Sequence, residues 1–356
     1  MSGKRLQNWD LLRSVSMFLV VVVHTANYLP SLSLPFDLAS AVGQTALICD
    51  PVFFMLSGYF ALRPQKDSIR KYYLKKAYSV VLPIFLYSVL LYLYSSWQSL
   101  SFGGYLAFSR TLFFGAWWFI PTLVSFLMIA PFLYIALEGL SDSWIIRLAK
   151  LLVVVYTWGF AVHIAAYIAG VVDRPGVDNL FAVLTAALPA APIAGYLPAF
   201  CCGYLYRRLS AILSPRQKTC IAWSLLPVLL VNFVCSGIGV GKSDPDQLWV
   251  IASVCLFFVF EKVRIHNGVA RVAIEWVAKR SYTVYLFQAT TISIVADGVY
   301  ANMLFGDLSF APVHVLGGVW VMVTAVSYLL ALGIASILDP LILNPTQQLI
   351  KRRLSI

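Results

Sequence analysis

Residues Asn8 to Thr25 read NWDLLRSVSMFLVVVVHT, and this stretch decides the fold. From Leu11 the run stays apolar to Pro30, the length that carries a helix across a hydrocarbon core of about 30 Å. Only Arg13 and His24 interrupt it with ionisable side chains. They stand eleven positions apart. At about 100° per residue, this returns to one helix face within about 20°, with an axial rise of about 16 Å. Arg13 thus belongs at one mouth of the span and His24 past its middle. Asp10, three residues before Arg13, is placed to pair with it. Ionisable groups inside a span face a cavity or a partner rather than lipid. His24 therefore reads either as a general base, since imidazole titrates near neutrality, or as a histidine satisfied by a neighbouring helix.

The rest of the chain has the same character. Of its 356 residues, 60% are hydrophobic and 12% charged, against about 45–50% and about 25% in soluble domains. No soluble core hides so much apolar surface. The expected fold is an all-α, polytopic membrane protein of about ten transmembrane helices. They are placed at Leu11–Pro30, Ala39–Leu62, Lys76–Trp97, Trp117–Leu137, Leu148–Gly170, Ala182–Tyr206, Thr219–Ile238, Leu248–Val263, Ser281–Phe305 and Pro312–Leu338. Leu106 to Gly115 is apolar but too short to span, and reads as re-entrant or interfacial. The loops alternate in charge. One set holds most of the cations, including Arg63, Arg70, Lys71, Arg207, Arg208, Lys279 and Arg280. The other holds Asp37, Asp173, Asp178, Asp244, Asp246 and Asp307 with few cations. The positive-inside rule puts the basic loops and both termini in the cytoplasm. The net charge of +11 then reports orientation and anionic lipid, not nucleic acid. The whole chain, 1–356, reads as one membrane-embedded domain with no soluble C-terminal domain. The six cysteines lie in or beside apolar runs without CxxC or zinc spacing, so they read as small buried hydrophobes with no metal.

Three further features carry chemistry. Cys49-Asp50-Pro51 places a carboxylate near mid-span, costly unless paired, with His24 or His163 as the available partner. Ser57-Gly58 permits close helix contact. The segment Arg63 to Lys76 concentrates cations, more than orientation requires, and suits a polyanion such as the phosphates of CoA. Trp117-Trp118-Phe119 is an interfacial belt or a platform for sugars.

Taken together, these residues resemble the acyltransferase-3 family of bacterial membrane acyltransferases along nearly the whole chain. The resemblance rests on Asp10, Arg13 and His24 in the pattern Asp-x-x-Arg-x10-His, and on Phe53, Phe54, Ser57, Gly58 and Tyr59. It rests further on Trp118-Phe119 and on the run Ser281-Tyr282-Thr283-Val284-Tyr285-Leu286. The chain departs from the family at three places. Ala116 and Gln288 stand where many members have histidine, and a lysine-rich stretch around Lys75 and Lys76 replaces Arg-x-x-Arg. The resemblance implies transfer of an acyl group, often acetyl, from cytoplasmic acyl-CoA to a hydroxyl of a surface glycan or lipid-linked sugar, in the bacterial inner membrane. The CoA ester is then a co-substrate, with no tightly bound cofactor. The implied catalytic set is His24, Arg13 and Asp50. Arg13, Arg70, Lys71, Lys75 and Lys76 are expected to hold the donor. The alternative is a transporter or exporter of a small molecule or polysaccharide, which discontinuous helices at Pro51, Pro121, Pro189 and Pro198 would suit.

Overall fold

A computed structural model describes residues 6–29, 36–65, 68–172, 195–300 and 313–353. Among them all regular structure is helical. In chain order the helices are α1 (Gln7–Thr25), α2 (Leu38–Ala46), α3 (Cys49–Ala61), α4 (Ile69–Lys76), α5 (Leu82–Ser96), α6 (Phe102–Phe114), α7 (Phe119–Glu138) and α8 (Asp142–Val172). Then follow α9 (Leu197–Ile212), α10 (Pro215–Trp223), α11 (Leu225–Gly237), α12 (Gln247–Glu261), α13 (Gly268–Tyr300), α14 (Val313–Leu338) and α15 (Asn344–Arg353). Polar caps start several of them: Asp37 accepts from Ser40 N, Ser101 from Gly104 N, and Ser214 forms a capping box with Gln217.

Seven helical runs are long and apolar enough to cross a membrane: Gln7–Tyr28, Leu38–Ala61, Ile69–Ser96, Phe119–Glu138, Asp142–Val171, Pro215–Gly237 and His314–Arg353. They match seven of the ten expected spans. The other three differ for separate reasons. The sixth, Ala182–Tyr206, lies mostly outside the described residues, which resume at Gly195 and enter α9. The eighth corresponds to α12, whose 15 residues rise about 22 Å, short of the core thickness. The ninth is the second half of the 33-residue α13, where Ser281, Thr283, Gln288, Thr290, Thr291, Ser293 and Asp297 lower the apolar character.

The second expected span is broken in two. The α-helix stops at Ala46 and restarts at Cys49, so Pro51 falls in the first turn of α3, where its missing N–H costs no hydrogen bond. Pro121 and Pro198 likewise sit in the first turns of α7 and α9. They begin helices and do not interrupt them. Pro189 lies outside the described residues. The segment Leu106–Gly115 forms the second part of α6, a short helix with no buried residue.

The charges that alternate along the sequence gather at opposite ends of the bundle. At the basic end Arg207 donates to Leu62 O (2.5 Å), Arg208 pairs with Asp142 (2.5 Å) and Lys218 with Glu261 (2.8 Å). At the other end Tyr196 donates to Asp244 (2.5 Å), Lys242 to Asn232, and Asp37 N to Gly237 O (2.7 Å). Between them the outward faces are apolar, with Phe85, Phe132, Ile135 and Val154 all more than half exposed. Such a belt suits lipid, not water. Cys220 lies exposed on α10, unlike the expected buried cysteine, because an apolar side chain on an outer helix face needs no protein cover in a bilayer. If the basic end is cytoplasmic, an impermeant thiol reagent applied to intact cells will label a cysteine at Ser99 and spare one at Gln65, in a background with Cys220→Ala. Both positions are exposed, on loops at opposite ends. Equal labelling would refute the assignment of sides.

The bundle packs most closely where α3 meets α9. A Cβ on Gly58 would lie 1.8 Å from Phe200 O, and one on Gly203 would lie 2.1 Å from Met55 O. Ser57-Gly58 thus serves the close contact expected of it. Two π turns, Ala77–Val81 after α4 and Asp339–Leu343 after α14, lie close together. Gln347 Nε2, four residues past the second, donates to Tyr78 O in the first (3.1 Å). Buried Asp339 accepts from Tyr87 OH (2.7 Å) and Thr283 Oγ1 (2.6 Å).

Candidate active site

The stripe on α1 comes first. Arg13, Met17 and Val20 follow the i, i+4, i+7 spacing of one helix face and wall a cavity of about 270 Å³. Arg13 pairs with Asp10 at 3.7 Å, as the i, i+3 spacing requires. Its guanidinium also lies 5.7 Å from the Phe60 ring centre. Arg63 approaches the same ring at 5.2 Å, so two arginines converge at this mouth.

The cavity is closed by three other segments. Asp50, Phe53 and Ser57 come from α3, and Phe119 and Leu123 from α7. Lys279, Ser281, Tyr282 and Tyr285 come from α13. The α13 wall is anchored by hydrogen bonds across the bundle. Tyr282 OH donates to Val80 O (3.0 Å) and Tyr285 OH to Ala116 O (2.9 Å), while Trp117 Nε1 donates to Leu286 O (3.0 Å). Ala116 thus contributes a backbone acceptor to this wall.

Asp50 owes its place to the break between α2 and α3. It sits in the first turn of α3, where the helix dipole favours a carboxylate inside the bundle. Its side chain accepts from Cys49 Sγ at 3.4 Å. The expected His24–Asp50 hydrogen bond is not formed. The new helix beginning at Cys49 turns Asp50 into the cavity beside the Arg13–Val20 stripe, while His24 lies one turn further along α1 and outside the lining. His24 is exposed and has no hydrogen-bond or ion-pair partner among the described residues. Asp50 does not meet His163 either; that ring lies near Gly241 and Asp246.

The cations expected to hold the donor are distributed differently. Arg70 is exposed, Lys71 and Lys75 are half-buried, and Lys76 lies 5.5 Å from the Tyr72 ring. They ride on α4, tied to α7 by Tyr72 OH to Leu127 O (2.9 Å), and none lines the cavity. Lys279 does line it, with Glu275 paired at 2.8 Å on its exposed side. Sequence reading counted Lys279 only as a marker of orientation. Its signal was its place two residues before the Ser281-Tyr282 motif. Among the described residues no group of His, Cys, Asp and Glu could hold a metal ion.

Four segments far apart in sequence therefore wall one cavity: the Asp-x-x-Arg helix, the Phe53–Ser57 segment, the start of α7 and the Ser281–Tyr285 run. The chain belongs to the acyltransferase-3 family. The family model, an acyltransferase domain, matches residues 6–334. The protein is thus a multi-pass membrane protein of an acyltransferase family. No curated protein and no solved structure matches the chain.

Proposed function

We propose that this protein moves an acyl group, acetyl in the simplest case, from acyl-CoA at its basic end to a hydroxyl of a cell-surface carbohydrate. The observation that carries this reading is the convergence of the four motif segments on one cavity with Arg13 at its mouth. The basic end then faces the cytoplasm of a bacterial cell, with both termini on that side, as the positive-inside rule requires. The cavity volume, at the low end of small-molecule sites, suits the thioester end of the donor, not the whole of CoA. Arg13 and Lys279, with Arg63 close by, supply charge-assisted hydrogen bonds to phosphate or pantetheine carbonyl groups. Arg70, Lys71, Lys75 and Lys76 on α4 add a field that draws the polyanion to this end.

In this mechanism the acceptor oxygen attacks the thioester carbonyl and its proton passes to His24. The tetrahedral intermediate collapses with cleavage of the C–S bond, and the CoA thiolate takes up the proton. The acyl ester and free CoA thiol are the products. Asp50 lies in the cavity wall between the donor's mouth and the turn that carries His24, placed to orient the acceptor hydroxyl.

Arg13→Ala is expected to weaken acetyl-CoA binding by about tenfold or more, the value of a charged hydrogen bond. Arg13→Lys is expected to restore only part of it, because an ammonium lacks the planar fork. Calorimetry with the purified protein measures both. An alanine variant that binds acetyl-CoA as tightly as the parent would remove Arg13 from the donor site.

A further inference from the structure

The cavity is about two helical turns deep. Its lining runs from Arg13 to Val20 on α1, from Ser57 back to Asp50 on α3, and from Ala278 to Tyr285 on α13. Each of these stretches rises about 10 Å along its helix. Val20, Asp50 and Tyr285 therefore mark the level farthest from the basic end. Three lining rings meet toward that level. Phe119 packs edge to face against Phe53 at 6.0 Å and against Tyr285 at 5.7 Å. Behind this wall lies packed protein. Phe119 rests on Phe54 at 4.4 Å, and Val20 belongs to a buried cluster with Val284 and Leu332. Tyr285 spends its proton on Ala116 O (2.9 Å), so the wall offers ring surface. Of the described lining residues at this level, Asp50 alone carries charge.

We propose that Phe53, Phe119 and Tyr285 hold the donor's acyl group and set its length, so that acetyl and similarly short chains are accepted and medium-length chains rejected. This rests on the acyl-transfer reading above and adds the class of donor. A pantetheine arm entering past Arg13 takes up the axial depth. Its thioester then arrives at the level of Val20, one turn from His24. The acyl group beyond the carbonyl meets the rings, whose apolar surface suits a methyl or ethyl group. A longer chain has two ways on, and both are costly. It can press into the rings, which are backed by packed core and resist added methylenes. Or it can cover Asp50, which removes a carboxylate from water and takes the place of the acceptor hydroxyl. The whole cavity, about 270 Å³, also has to hold the end of the arm.

Calorimetry on the purified full-length protein with free CoA, acetyl-CoA and hexanoyl-CoA tests the wall. Acetyl-CoA is expected to bind tighter than hexanoyl-CoA by about tenfold or more. Simple partition of the chain into detergent or an open groove has the opposite sign, about fourfold tighter for each added methylene. Phe119→Leu and Phe53→Leu each remove ring volume from the wall. Each is expected to move the hexanoyl-to-acetyl affinity ratio toward hexanoyl by about tenfold. The ratio is read within one sample, so a smaller folded fraction leaves it unchanged, and either variant alone suffices. Hexanoyl-CoA bound by the parent as tightly as acetyl-CoA, or a ratio unchanged in a folded variant, would overturn the wall as the determinant of chain length. A parent that binds none of the three compounds would refute the acyl-transfer reading itself. One that binds all three equally would keep that reading and refute the pocket.

Discussion

Replacing His24 with alanine is expected to lower acyl transfer by about 10²–10⁴-fold, the usual contribution of a positioned general base. Binding of acetyl-CoA is expected to persist. The argument starts from α1. Arg13, Met17 and Val20 wall the cavity, and the same face reaches His24 after one more turn, about 16 Å from Arg13 along the axis. One donor molecule held by Arg13 can therefore present its thioester near His24 but cannot use both residues for the same proton. Radiolabel transfer from acetyl-CoA to glycan measures the rate, and calorimetry measures the binding. Near-normal transfer by His24→Ala would dismiss it as the base. If Asp50→Asn abolished transfer in that case, the proton would belong to Asp50, which the cavity already contains. Binding lost with His24 and rate lost with Arg13 would invert the site.

The second large effect is on folding. Gly58→Ala or Gly203→Ala is expected to prevent accumulation of a monodisperse protein. In Gly58→Ala the new methyl would lie 1.8 Å from Phe200 O, and in Gly203→Ala 2.1 Å from Met55 O and 2.4 Å from Tyr59 N. These neighbours are backbone, so no rotamer change relieves the overlap and the two helices must separate. Small residues that let helix backbones approach are a main source of helix association in lipid, where no hydrophobic force acts between spans. The cost should exceed the ~1–3 kcal/mol typical of an overpacked side-chain core. Gly103→Ala is the control: an added Cβ there meets nothing within 4 Å, and a change near zero is expected. Size-exclusion profiles and thermal unfolding in detergent read the outcome. Variants at Gly58 and Gly203 that elute and melt like the parent would show that α3 and α9 are held less closely.

Much of this arrangement was legible in the sequence wherever local periodicity or a short motif carried it. The shared face of Arg13 and His24 follows from helix geometry alone, as does the Asp10–Arg13 pair. The close contact at Gly58 follows from residue size. What stayed hidden depends on chain reversal or on partners remote in sequence. The break before Cys49 has a marker: Pro51 lacks an N–H for Leu47 O, four residues back, and its ring crowds that carbonyl. The marker does not give the side to which the restarted helix turns Asp50, and equal depth alone pairs Asp50 with His24. Lys279 was absorbed into a general excess of cations, because charge counting is blind to which cation faces inward. Tyr196 and Asp244 are 48 residues apart and neither belongs to a motif. Their meeting is a property of the assembled bundle.

The two π turns leave a mark on the chain's length. A π turn accommodates one residue more than the α-helix around it, so Ala77–Val81 and Asp339–Leu343 each act as a built-in insertion. Removing that residue from either stretch would restore α geometry in one turn and leave the helix on both sides in phase. Tyr87 and Asp339, which meet at 2.7 Å, would then keep their approach. A one-residue gap at either position is therefore a change confined to one turn, and the residues on both sides of it still correspond.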